Sequence, residues 1–147
     1  MKPIHVVTLL LAAWAGLVLS AQAETVDLSV GTIDLPAGVE CQKRWGFDSV
    51  MGKLISHDGT PTIEFDLGAG FFEEKPKKED ALFLREGTIN GIAWFAAVRR
   101  DKPQLLLVVF QRDDQGSFYA LFSSRRERRH ALRLILHYVP NADGISR

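Results

Sequence analysis

From Thr25 onward, apolar and polar residues mostly alternate with a period of two, and the period switches to about 3.6 only once, near the C-terminus. "TVDLSV" and "TIDLP" read as short strands around Gly31, and "GKLISH" with "TIEFDLG" reads as a hairpin across "DGTP". Asn90-Gly91 predicts a two-residue turn joining "LFLREGTI" to "IAWFAAVRR", because both central residues of a type I′ turn need positive φ. "RDKP" then leads into "QLLLVVF", and the turn at 113–116 leads into "SFYALFS". Strands joined so tightly make an antiparallel meander. Leu105 to Phe110 is apolar without alternation, so that strand should be central and covered on both faces.

The single helical stretch has clear limits. Ser124, with Glu127 three residues later, fits a capping box, and Pro140 stops the helix. Ala131, Leu132, Ile135, Tyr138 and Val139 form one apolar stripe that should lie on the sheet. The charge-rich "EEKPKKED", residues 73–80, separates two portions expected to share a sheet, and residues 75–84 allow a short helix. Something from the N-terminal portion is expected to cover the second face of the central strand. The fold class is therefore α+β: an antiparallel sheet with a C-terminal amphipathic helix on one face.

Lys2, the apolar run Ile4 to Leu19 and the small-x-small Ala21-Gln22-Ala23 form the pattern of an export signal, so residues 1–23 are expected to be cleaved. The run is shorter than the ~20 residues of a membrane span. What remains is residues 24–147, read as one domain, in a periplasmic or secreted setting. The formal net charge of the whole chain is zero, and the segment removed holds one Lys and no acid. Bulk charge thus suggests no nucleic-acid partner. Cys41 is the sole cysteine, so no internal disulfide exists. It reads as a buried small apolar residue, with an intermolecular disulfide or reactive thiol as the sharper alternative.

Five arginines and His130 crowd residues 124–133. Arg125, Arg129, Arg133 and His137 recur every four residues on one helical face, flanked by Arg126 and His130. A solvated or salt-bridged face explains this pattern. The sharper reading is contact with an anionic partner, such as a phospholipid headgroup surface, because cations at a helix N-terminus each cost about 0.3–1 kcal/mol. Phe71 and Phe72 are the second candidate contact, an adjacent aromatic pair of which one ring is expected outside the core. Trp45, Trp94 and Tyr119 read as core or sheet-face residues.

Ser49, His57 and Asp66, with Asp48 and Asp58 nearby, admit a hydrolase reading, but no G-x-S-x-G elbow surrounds Ser49. Turn chemistry explains them as well. No cofactor motif is present: Gly68-Ala69-Gly70 lacks the Lys-Ser/Thr of a phosphate loop, and paired cysteines for a structural zinc are absent.

"GFDSVMGKLIS" followed by "TIEFDLG", within residues 34–70, resembles a pattern in small exported bacterial proteins without assigned activity. The tail, with its N-G hairpin, meander and "YALFSS" leading into "RRHALRLILHYV", resembles the end of PsbP/Mog1-like domains. That resemblance implies an α-β-α sandwich acting as an accessory or binding module. The expected function is a non-catalytic, exported binding protein for an unknown protein or envelope component. A secreted inhibitor or immunity-type protein is the alternative.

Overall fold

The computed structural model describes residues 23–68, 73–112 and 116–142. The expected export segment, up to residue 22, and the Phe71-Phe72 pair lie outside the described residues.

Ten strands and one helix are described: β1 (Glu24–Asp27), β2 (Gly31–Leu35), β3 (Val39–Trp45), β4 (Val50–Ser56), β5 (Ile63–Leu67), β6 (Ala81–Ile89), β7 (Ile92–Arg99), β8 (Leu105–Phe110), β9 (Gly116–Leu121), α1 (Arg125–Ile135) and β10 (Tyr138–Pro140). An antiparallel seven-stranded sheet runs β3-β4-β5-β9-β8-β7-β6, and β1-β2-β10 form a second, three-stranded sheet. The α+β class and the meander β6 to β9 are as the alternation predicts. The two portions around residues 73–80 join through the β5–β9 pairing. Asn90 (φ 50°) and Gly91 (φ 75°) both adopt the left-handed conformation that the turn between β6 and β7 requires.

Four expectations need correction. Residues 39–45 form a strand that the pattern did not announce, because β3 is an edge with only Val39 and Cys41 packed toward the core. The helix ends at Ile135, so Tyr138 and Val139 are not on its stripe but in β10. Val139 precedes Pro140 and is thereby biased to extended backbone, and β10 pairs with β2 with Tyr138 opposite Ile33. The helix expected within 75–84 is one 3₁₀ turn, Lys78–Asp80, and β6 begins at Ala81. The N-terminal strands do not cover the second face of the central strand. Leu28, Val30, Ile33 and Leu35 join Leu132, Ile135 and Tyr138 in one core on the helix side.

The second face is covered differently. Phe95, Ala97, Leu107 and Val109 form a separate buried cluster there, with Leu84 and Tyr119 against it. Glu86 and Arg99 share this face by register, and they bind Lys75 and Glu73, so the acidic-basic linker is drawn over it.

In the main core, Tyr138 is fully buried and meets Phe110 edge-on at 4.9 Å and Phe118 at 5.2 Å between ring centroids. One ring therefore ties β10, and with it the small sheet, to the centre of the large one. Gly87 accommodates Trp94, since a Cβ there would lie 2.6 Å from the indole. Trp94 is in the core, and Trp45, the last residue of β3, is a sheet residue 66% exposed, close to Phe47, which is 107% exposed in the β3–β4 turn.

Candidate anion-binding groove

Ser124 starts α1 by accepting the Glu127 N–H at 3.2 Å. The Glu127 carboxylate turns back to Ser123, accepting its N–H at 2.6 Å and its hydroxyl at 2.8 Å. These bonds hold the Glu127 carboxyl below its usual pKa, with the Ser123 backbone contributing most. The only acid in the first helical turn is thus engaged in capping.

The helix lies over β8 and β9. Beyond β8 toward the sheet edge, Phe83 and Arg85 point to the same side of β6, opposite Val98 and Ala96. Between them and α1 lies a groove of about 540 Å³ lined by Phe83, Arg85, Arg128, Arg129, Leu132, Arg133, Leu136 and His137. Its floor is apolar, from Phe83, Leu132 and Leu136, and its rim carries four guanidiniums and an imidazole. Among the described residues no carboxylate lines it.

Arg128 is the most constrained rim residue. Its Cζ sits 4.3 Å from the Phe83 ring centroid, a cation–π contact. Partial burial, and after it the charges of Arg125 and Arg129, lower its pKa from the ordinary value. A guanidinium still stays protonated at any physiological pH. His137 is held from the opposite side: its Nδ1 lies 3.1 Å from the Asp34 carbonyl, which can only accept, so Nδ1 donates.

Salt bridging does not account for the arginines. Among the described residues the ion pairs are Lys53–Glu64, Lys75–Glu86, Arg99 with Glu73 and Asp101, and Lys102–Glu73. None involves Arg85 or the α1 arginines. Of the acids in the charged linker, Glu73 is taken by Arg99 and Lys102 on the other face of the sheet, and Asp113 and Asp114 fall outside the described residues.

Of the residues singled out from sequence, Arg129 and Arg133 therefore line the groove, and Arg125 is exposed one turn before it. Phe83, Arg85 and Leu136 were missed. Alternation placed Phe83 and Arg85 on one face of a strand, but nothing local says that this strand is the edge beside α1.

Ser49, His57 and Asp66 are not brought together. Ser49 precedes and His57 follows the seven-residue β4, so an extended strand separates them by more than about 20 Å. Asp66 Oδ1 is buried without a hydrogen-bond partner among the described residues. Asp58 organises its own turn, accepting from the Ser56 hydroxyl and, at 2.9 Å, from the Thr60 N–H. Those bonds, the Ser56 hydroxyl foremost, hold its carboxyl far below the usual range. Among the described residues, no three His, Cys, Asp or Glu side chains are grouped as a metal site needs, and no helix is long and apolar enough to cross a membrane.

What the groove can do chemically is bind. Guanidinium forks donate paired N–H bonds to carboxylate or phosphate, and the apolar floor accepts hydrocarbon. Searches against protein-family models, curated proteins and solved structures return no match to this chain.

Proposed function

We propose that this is an exported, non-catalytic binding protein of the cell envelope that grips an anionic component through the α1–β6 groove. One observation carries the reading: four arginines and a histidine surround an apolar floor with no carboxylate among the described lining residues. Export is supported by the N-terminal pattern and by β1 starting at Glu24, the residue after the expected cleavage point. A PsbP/Mog1-like affiliation, resting on the sequence resemblance alone, would suit an accessory module. A neutral chain argues against nucleic acid as the anion.

The test is co-sedimentation of the purified protein with phosphatidylglycerol-containing vesicles, against phosphatidylcholine vesicles, at low and high salt. Pelleting should need the anionic lipid, weaken with salt and be lost in Arg129→Glu/Arg133→Glu. Equal pelleting of this variant and the wild type would dismiss the reading. The inhibitor alternative rests on a different observation, the exposed Trp45 and Phe47 at one turn, since aromatic anchors favour protein contacts. Phe47→Ala would then abolish capture of the partner, leaving vesicle binding untouched.

A further inference from the structure

Resting on that reading, we propose that the groove is a site for one monomeric fatty-acid anion, with its chain on Phe83, Leu132 and Leu136 and its carboxylate on the arginine rim. Three properties of the groove lead there. A volume of about 540 Å³ falls within the range of small-molecule sites, roughly 300–1,000 Å³. The floor is apolar, so an inorganic anion would leave Phe83, Leu132 and Leu136 in contact with water, whereas an alkyl chain would displace that water.

The rim supplies the head's partners in the geometry a carboxylate needs. Arg128 has its guanidinium over the Phe83 ring, and its N–H groups are not taken by any carboxylate among the described residues. A planar carboxylate receives two parallel N–H bonds from one such fork. Arg129 and Arg133, one turn apart along α1, stand beside it on the same rim. Placing a negative head among them would relieve the mutual repulsion of Arg125, Arg128 and Arg129, which adds to partial burial in lowering the Arg128 pKa. The ligand is thus amphiphilic, single-chained and anionic.

The experiment is isothermal titration calorimetry of the purified protein with octanoate, decanoate and dodecanoate, each below its aggregation concentration. Affinity should rise about two- to fourfold per added methylene, since each buried CH₂ contributes a nearly constant increment. Acetate and inorganic phosphate, heads without chains, should bind at least tenfold more weakly than dodecanoate. Dodecyltrimethylammonium, the same chain with a cationic head, should not bind. Arg129→Gln/Arg133→Gln should cost at least tenfold for dodecanoate, and Phe83→Ala or Leu136→Ala, at half-buried positions, should flatten the chain-length series. Circular dichroism confirms that each variant is folded.

A series without chain-length dependence overturns the inference, as does equal binding of the cationic amphiphile. Dodecyl phosphate binding more tightly than dodecanoate would overturn the fatty-acid assignment. Anionic vesicles bound with no monomer bound would sink the inference and leave the proposed function standing. Failure of both sinks the function too.

Discussion

Replacing Arg125 with Glu should stabilise this protein while weakening its hold on anions. Arg125 is the first helical residue after the Ser124 cap, where the helix end carries partial positive charge. An exposed cation there costs about 0.3–1 kcal/mol and an anion gains a similar amount, so reversal is worth about 0.6 kcal/mol at the low end of both ranges. Arg125 also stands three residues from Arg128 and four from Arg129. Each like-charge pair costs about 0.2–0.5 kcal/mol, and Glu in place of Arg125 turns both repulsions into attractions. With screening at an exposed site, the total is about 1–2 kcal/mol. Arg and Glu have nearly equal helix propensities, so that term adds little.

For a domain of this size, such a gain raises Tm by about 3–8 °C. Denaturant and thermal unfolding should be measured at low salt and at about 1 M salt, where the Debye length falls to about 3 Å and the gain should mostly vanish. Arg133→Glu is the internal control: Arg133 lies in the last turn, where a cation is favourable, so the same reversal should lower stability. A Tm for Arg125→Glu that is unchanged, lowered or insensitive to salt would refute the reasoning. It would mean that the cluster is already neutralised within the folded chain, and the proposed groove would lose its driving force.

Tyr138→Ala removes the ring that binds Phe110 and Phe118, and it should cost about 3–5 kcal/mol in urea unfolding; a loss under about 1 kcal/mol would show that β10 does not anchor the small sheet. Glu127 has a lowered folded pKa, so the stability it contributes is fully present above its unfolded value of about 4.3 and is lost as pH falls through the folded value. The stability difference between wild type and Glu127→Gln should therefore be flat above about pH 5.5 and shrink on acidification below about pH 4.5, and a difference that grows on acidification would contradict the cap. Cys41 has its thiol pKa raised, chiefly by burial and only partly offset by Lys43, so alkylation by iodoacetamide near pH 7 should be slower than that of free cysteine and should quicken with pH; rapid labelling would count against its packing role.

The meander was legible because its turns carry their own chemistry: Asn90 and Gly91 demand positive φ wherever they sit, and Leu105 to Phe110 announces a central strand by lacking a polar side. The helix start was legible for the same reason, through Ser124 and Glu127. Its end was not, since Tyr138 and Val139 continue the helical spacing and only their pairing with β2, about a hundred residues earlier in the chain, makes them a strand. β3 was hidden because an exposed edge strand with Gln42, Lys43 and Arg44 has no apolar alternation. Half of the candidate site was visible as the arginine face of α1. The other half, Phe83 and Arg85, depends on strand order: β6 pairs only with β7, and no local signal reports which strand ends a sheet.

That strand order also explains why a groove exists. Seven strands, six spacings of about 4.8 Å, span about 29 Å, whereas a helix with its side chains is about 10–12 Å across. With α1 seated over β8 and β9, the edge strand β6 lies about 12 Å beyond the helix axis. The small sheet does not fill that space: β1 is held near β3, where Lys43 donates to the Asp27 carbonyl at 2.8 Å, and β10 meets the far end of β6, where Asn90 donates to the Pro140 carbonyl at 3.0 Å. The gap is left to long side chains. Arginine stems can lie along an apolar floor while keeping their heads wet, so the same residues shield Phe83 and Leu136 from water and present charge at the rim. A merely shielding role would be met equally well by Lys or Glu, and better by a mixture, because mixed signs avoid repulsion. Four arginines with no acid, placed partly against the helix dipole, instead sacrifice some folding stability for a concentrated positive rim, as a binding site does and a solvated face does not need to.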